Sequence, residues 1–593
     1  MKANGSLPRI ACWGGVILWG ILCLGMEAAS VGYLDNHRLA DALQKAAQEH
    51  PAIVHLHRAA RTPGGHDVWR VELGSGAESA RLDRPAMLVV AGIEGNDRAG
   101  SACAIAWIDH CIQGYGQKPP ITALLDTTTI HVWPRLNPDA ADGLSSNLLH
   151  ETRVNRSPED EDHDGLVDED GPEDLDGDGR ITWMRVRDPN GSHRIDPREP
   201  RWLFPADPAR GENGQWRLLI EGRDNDHDEA WNEDGPGGVN LNRNFPFQYQ
   251  FFGPHAGPHP VSEPETRALA DFLILHPHIG IVVAYGEPDN LLQTPAAPAE
   301  SGSISSGRGR APVTSIHPSD LPYYRELGRL YRDRLGLKKE LKSAGVPGAF
   351  SDWVYFHRGR LGLSVRPWSP ALELARNPLA SNPPPATASS VSRSPAARAV
   401  PVPASRPGTD TRNEEERSFL QWIDARAPEL FVPWKSWDHP DFPGKQVEIG
   451  GFAPLARSQP PERMLGAIAG EQVRFLTDLA GKLPRIGLRV VQARHLGEGV
   501  FEVSARIENR GYLPTVLAHG QVTGEVLPTR VTLDIDKKQV LGGSARVMLP
   551  PIQGSGGSQE VRWIVHSQQP RRLRIEAVSA LGGAARQTIE LKP

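Results

Sequence analysis

The segment VVAGIEGNDRAG, residues 89–100, joins two kinds of pattern. Residues 87–93 are apolar almost without a break, as expected of a strand covered on both faces. Gly92 and Gly95 interrupt the run, and the spacing over 98–112 predicts a helix. Glu94 and Asp97 therefore fall on a strand-to-helix turn at the carboxyl end of a strand. Open α/β sheets place their sites there. Two acids at such a point need a chemical reason.

Working outward, apolar runs at 68–73, 128–133, 279–285 and 361–365 read as further strands, and 263–275 and 319–335 as helices. Ser262 and Glu265 in SEPET have the spacing of a capping box. This alternation predicts an α/β domain over residues 30–482. Inside it, NPPPATASSVSRSPAARAVPVPASRPG (382–408) has too little apolar content for a core and reads as a disordered insert of about 377–412. A helical pattern resumes near Asn413 and runs through VEIGGFAPL to about Pro484. Beyond it, Phe501, Val503, Ala505 and Ile507 alternate with polar residues, as do Leu573, Ile575 and Ala577. Residues 485–593 are accordingly expected to form a small β-sandwich.

A chain of 593 residues exceeds one compact core. A hydrophobic fraction of 39% is that of globular protein, and a net charge of -7 gives no sign of a nucleic-acid partner. Residues 1–29 carry Lys2 and Arg9, an apolar stretch over 10–26, then Ala28 and Ala29. That is the pattern of a signal peptide and predicts a secreted or periplasmic protein, with an uncleaved membrane anchor as the alternative. Cys12 and Cys23 fall within it. Cys103 and Cys111, eight positions apart on one helix, would lie about 12 Å apart, too far for a disulfide. Both read as packing residues.

The region 150–238 is acidic and repeats itself. DEDHDGLVDEDGP starts at Asp160 and DNDHDEAWNEDGP at Asp224. Oxygen-bearing residues recur as Asp160, Asp162, Asp164 and Asp168, and as Asp224, Asp226, Asp228 and Asn232. Asp174, Asp176 and Asp178 of DLDGDGRIT keep the same intervals before Gly179. These are the first ligand positions of an EF-hand-type calcium loop, but Gly171, Gly235 and Arg185 stand where the closing acid belongs. Calcium or another hard cation in at least one loop is one expectation; a solvated acidic face is the other.

Four more segments join the opening one: LNPD at 136–139, HETRVNR with Arg153 and Arg156, GVNLNRNFP with Asn242 and Arg243, and SDWVYFHRGRLGLSVRPW from Ser351 to Trp368. With VVAYGEPDNLL between the last two, the series resembles the zinc carboxypeptidase A/B family over roughly residues 35–482, in its bacterial type with an acidic insert and a C-terminal β-sandwich. The resemblance implies a mixed sheet between helices, a zinc site, a glutamate general base, and arginines for the substrate carboxylate and the scissile carbonyl. Carried over by position, Asn242 and Arg243 match the carboxylate-binding pair and Arg153 the carbonyl-polarising arginine. Glu94 and Asp97 replace the His-x-x-Glu zinc ligands, Val283 the later histidine, and Arg366 the base. The substrate-capping tyrosine has no counterpart, because no Tyr occurs over 332–354.

Carboxylates suit hard cations better than zinc, and an arginine stays protonated near neutral pH. The expectation is a catalytically inactive homologue that binds peptide C-termini or other carboxylates. An active metallocarboxypeptidase with an oxygen-ligand site and a surface scaffold whose C-terminal domain meets a protein partner are the alternatives. Arg366 is expected within about 4 Å of Glu94 or Asp97, replacing the metal's charge. His276, His278 and His357 read as packing or surface residues, and Trp353 and Trp368 as core.

Overall fold

The computed structural model describes residues 32–143, 148–158, 167, 171, 173–225, 231, 238–296, 313–378 and 413–592. The proposed signal peptide, most of the 377–412 insert and Asp160, Asp162, Asp164, Asp168, Asp226, Asp228 and Asn232 lie outside them.

The strand Ala86–Val90 sits inside a six-stranded sheet, wholly buried. Thr129–Trp133 and Ile279–Tyr285 flank it in parallel, and Leu361–Val365 continues the sheet in parallel beyond the latter. On the other side Asp67–Leu73 pairs antiparallel with Thr129–Trp133, and Val54–Arg61 closes the edge, also antiparallel. Met87 and Val89 face one layer, packed with Leu39, Trp107 and Phe475. Leu88 and Val90 face the other, with Leu269, Phe272 and Val354. Helices thus cover both faces, which is why the four parallel strands are buried at every position and, with Thr129, His131 and Ser364 as buried polar exceptions, mostly apolar. Burying one such side chain contributes about 1.5–3 kcal/mol. The expected α/β/α sandwich with a mixed sheet is the observed fold.

Ile279–Tyr285 and Leu361–Val365 match the reading residue for residue, and the helices form at Arg98–Gly114, Pro264–Leu275 and Leu321–Leu335. Ser262 does not cap the second of these. Its hydroxyl donates to Glu263 at 2.7 Å, while Glu265 is drawn inside, 0% exposed, and accepts from Asn155. The helix cap at Glu263 has no side-chain hydrogen bond. Cys103 and Cys111 are free and buried.

The acidic region is more ordered than a loop. Trp183–Arg187, His193–Asp196, Glu199–Pro205 and Trp216–Ile220 form a second six-stranded sheet with Phe431–Trp437 and Val447–Phe452. VEIGGF is therefore strand, where a helical pattern had been read; helices lie only on either side of these two strands, at Glu414–Arg426 and Glu462–Ala480. Guanidinium–ring stacks armour this sheet: Arg185 lies 5.4 Å over Trp216 and 4.5 Å over Trp434.

After residue 485 two four-stranded antiparallel sheets enclose Phe501, Val503, Ile507, Leu573 and Ile575, the expected β-sandwich. It docks on the α/β domain through Asp320, whose carboxylate accepts from the Ala518 and His519 N–H groups at 2.8 and 3.0 Å. Arg358 pairs with Glu525 at 2.6 Å, and Tyr355 stacks on His519 at 4.8 Å.

Candidate functional site

The turn after Ala86–Val90 is tight. Gly92 has φ +58°, and a Cβ there would meet Ser101 Oγ at 2.8 Å. The chain is therefore bent hard enough to aim Glu94 and Asp97 inward. Glu94 is 6% exposed and accepts from Asn242 Nδ2 at 3.1 Å. Asp97 caps the helix Arg98–Gly114, one oxygen accepting from Gly100 N–H at 2.9 Å. Its other oxygen is buried without a hydrogen-bond partner. Burial pushes the Asp97 carboxyl up to about 7; the Gly100 N–H opposes this and the Glu94 charge adds to it. Glu94 is also raised, first by burial and then by Glu287.

The third position differs from the sequence alignment. Val283 is fully buried in the core and pairs across the sheet with Val89 and Leu363. The residue beside Glu94 is Gly286, one step past the strand end. A Cβ at Gly286 would stand 3.9 Å from Glu94 Cδ and 3.5 Å from Asn242 Nδ2. Its φ of +154° favours glycine. Val283, matched to the later histidine, thus lies within the strand, while Gly286 at the strand end is the residue that approaches Glu94; neither side chain offers a donor. The glycine of YGEPDN was the available signal.

Arg366 is also placed differently. Its guanidinium pairs with Glu287 at 2.6 Å and donates to the Arg457 carbonyl at 3.3 Å. Among the described residues it makes no ion pair with Glu94 or Asp97. Glu287, on the turn that follows Gly286, intercepts it, although its charge still lowers the pKa of both acids. Asn242 is 2% exposed, and its amide donates to Glu94 and to the Glu287 carbonyl while accepting from Phe350 N–H at 3.1 Å. It is built into the wall. Arg243 donates to the Pro254 carbonyl at 3.3 Å. Arg153 is exposed, with no carboxylate within ion-pair distance among the described residues.

Arg153, Glu287 and Arg366 open onto a cleft of about 1000 Å³ whose opposite wall is the second sheet. Glu94 and Asp97 lie behind its lining. His276 and His278 are not among the residues that line it: His276 packs on Phe272 at 4.0 Å, and both rings pack on the buried His131, a partner that no motif announced. His357 packs edge-on to Phe247, and Trp353 and Trp368 are buried.

Within the acidic insert Asp174, Asp176 and Glu221 bring oxygens within 4.8 Å of one another. The Asp174 carboxylate accepts from the N–H groups of Gly177, Asp178 and Gly179 at 2.8, 3.1 and 2.9 Å. Asp178 is outside this trio and accepts from Arg180 N–H. Glu221, distant in sequence and invisible to a spacing argument, takes its place, and Lys435 Nζ stands 3.6 Å from Asp176. Asp224 donates its N–H to Asp441 at 3.0 Å and keeps one buried oxygen unpartnered.

A zinc carboxypeptidase model matches residues 39–196 and 202–367, more than half of the chain. The chain belongs to the zinc carboxypeptidase family. Residues 485–590 match a second model, described as a domain of unknown function (DUF8731). Carboxypeptidase M from Mus musculus is 29% identical over 128 residues, 21% of this chain and 29% of that protein. Carboxypeptidase D from Homo sapiens is 28% identical over 101 residues, 17% of this chain and 7% of that protein. The chain thus spans less than a third of these relatives' length. The crystal structure of thrombin activatable fibrinolysis inhibitor aligns with a TM-score of 0.36 and 15% identity, covering 57% of this chain and 67% of that chain.

As a zinc carboxypeptidase site the residues do not fit. The resemblance implies two histidines and a glutamate as donors; Glu94 and Asp97 are the acids matched to two of those places, neither Val283 nor Gly286 carries a donor atom for the third, and Arg366, matched to the base, is a cation paired with Glu287. One Asp97 oxygen is committed to a helix cap and Glu94 is bonded to Asn242. The remaining acidic trio, Asp174, Asp176 and Glu221, has oxygen donors alone, a set for a hard cation and a poor one for zinc.

Proposed function

We propose that this protein is an exported, catalytically silent zinc carboxypeptidase homologue of the A/B branch, of the bacterial type with an acidic insert, that holds a peptide C-terminus or another small carboxylate in its cleft. The observation that carries this reading is the pairing of a disabled centre with an open arginine. Val283 and Gly286 offer no ligand and Arg366 no base, while Arg153, whose charge acts on Glu94, makes no ion pair among the described residues and lines a cleft large enough for a ligand. Binding would rest on a charge-assisted bond from Arg153; Arg243, the other cation carried over from the resemblance, is not among the residues that line the cleft. The N-terminal pattern supports export, and the Asp174–Asp176–Glu221 trio supports calcium as the insert's cation.

One observation favours a second reading. The orphaned Asp97 oxygen beside Glu94 could accept a cation, as an active enzyme with an oxygen-ligand metal would require. Metal analysis and peptidase assay separate the two. The purified protein should hold less than stoichiometric zinc and release no C-terminal residue from peptides, with or without added zinc or manganese. Restoring histidine at Glu94 alone should not give activity, since a metal-bound nucleophile needs both metal and base. Chelator-sensitive turnover in the parent, absent from an Arg153→Ala control, would establish the second reading instead. A peptide with a free carboxylate should bind the parent and lose roughly ten- to a hundredfold in affinity on Arg153→Ala.

A further inference from the structure

The cleft reaches well beyond Arg153. Its far wall belongs to the second sheet and is aromatic, with Trp183, Trp202, Phe431, Trp434 and Phe452 all lining it. Most of these rings are already engaged. Arg457 lies 5.7 Å over Trp202, Arg201 5.4 Å over Phe431 and Arg185 4.5 Å over Trp434. Trp183 differs: it is 39% exposed, and no ring or guanidinium stacks on it among the described residues. Gly451 lies between it and Trp434: a Cβ there would come within 3.2 Å of the Trp434 ring and 3.5 Å of the Trp183 indole.

Charge narrows the class of ligand. The lining carries five Lys and Arg against five Asp and Glu, which suits neither a polyanion nor a polycation. Arg366, Arg457 and Arg201 are held by Glu287, Glu416 and Glu199. Arg153 and Lys342 have no carboxylate within ion-pair distance among the described residues, so free positive charge is local. A cavity of about 1000 Å³ stands at the top of the range for small-ligand sites and exceeds the need of one terminal residue. Polar groups are interspersed with the apolar wall, although Glu151 already accepts from Asn96, Ser458 and Leu455 and the Ser343 hydroxyl from Asp289 N–H.

Resting on the carboxylate-binding reading above, we infer that the second sheet is a recognition surface for the residues that precede the terminal carboxylate. Trp183 is a specificity-determining residue, and the ligand is a polypeptide end with aromatic or aliphatic side chains upstream of its free carboxylate. The inserted strands thereby convert a site for one terminal residue into a groove for several.

Calorimetric titration of the full chain with four probes tests this. The probes are a hexapeptide with apolar upstream residues, the same peptide with Gly and Ser upstream, the apolar peptide as its C-terminal amide, and dodecanoate. The apolar peptide should bind about tenfold more tightly than the Gly/Ser peptide, the gain from burying one or two side chains. Trp183→Ser should erase that difference and leave the melting temperature and the Gly/Ser affinity unchanged. Equal binding of the two acids, or no effect of Trp183→Ser, overturns the inference and leaves carboxylate binding intact. Equal binding of acid and amide overturns the carboxylate reading itself. Dodecanoate outcompeting the apolar peptide assigns the wall to lipid chains and also overturns the inference.

Discussion

Asp97 holds a helix with one oxygen and has nothing to bond with the other. Its folded pKa of about 7 lies above the ordinary 3.8, so folding favours the protonated acid. Its contribution is intact below pH 3.8 and is lost as pH rises through about 7. Asn caps a helix about as well as Asp and never ionises. Asp97→Asn should therefore be more stable than the parent at pH 8, by up to a few kcal/mol, with the gap closing towards pH 4. Urea denaturation at the two pH values measures it, and an equal gap at both would mean that Asp97 does not ionise in this range. His278 works in the opposite sense. Burial, then His276, lowers it from 6.5 to about 4, so it folds neutral, with Glu72 and Arg360 also facing it. Stability is full above pH 6.5 and falls as pH drops towards 4, by about 3 kcal/mol at most. His278→Gln should flatten that acid limb; a parent and variant with the same acid profile would assign the loss elsewhere.

At the scale of elements, legibility followed the source of stabilisation. Strands buried on both faces advertise themselves as unbroken apolar runs, which is why Ile279–Tyr285 could be read to the residue. Val54–Arg61, an edge strand with histidines and arginines on its open face, gave no such signal. The inserted strands are stabilised by stacks between arginines and tryptophans distant in sequence, so WMRVR and WRLLI look like nothing in isolation. The site was legible as a set of substitutions and illegible as a geometry. Val283 lies inside the strand while Gly286, three positions on, is what reaches Glu94, and Glu287 of the same motif, given no role by it, took Arg366. Glu221 was hidden by its distance from Asp176 and by a carboxylate that also accepts from the Thr182 N–H and hydroxyl. If the trio takes calcium, millimolar calcium should raise the melting temperature of the parent, because a ligand bound only by the folded state stabilises it. Glu221→Gln should abolish the response; a parent indifferent to calcium leaves Lys435 as the counter-charge paired with the trio among the described residues.

Across the whole molecule, Asp320 is the most buried of several carboxylates that tie the β-sandwich to the α/β domain, beside the more exposed pairs Arg358–Glu525 and Arg586–Asp83. Asp320 is 1% exposed, accepts from two backbone N–H groups of the sandwich and receives the Tyr355 hydroxyl at 2.9 Å. Tyr355 belongs to the helix Phe350–Phe356, whose first N–H is bonded to Asn242. The sandwich therefore braces, through two side chains, the wall behind the cleft. Asp320→Ala would leave buried donors unsatisfied at about 1–3 kcal/mol each. Scanning calorimetry should then resolve one transition into two as the domains uncouple. A single transition shifted as a unit would show that the remaining contacts, the Arg358–Glu525 and Arg586–Asp83 pairs among them, are enough to hold them.

The second sheet has a consequence in time. Its strands come from two stretches of chain, 183–220 and 431–452, so Trp183–Arg187 cannot meet Val447–Phe452 until some 230 further residues have been made after the first stretch. At 5–20 residues per second that interval is roughly ten to fifty seconds of synthesis. Throughout it the edge of Trp183–Arg187 that later pairs with Val447–Phe452 lacks its native partner, and the aromatic wall does not exist. Edges of that kind are templates for mispairing. The recognition surface is thus among the last parts of the α/β domain to be completed, and the ligand groove comes into being only after its arginine is already in place.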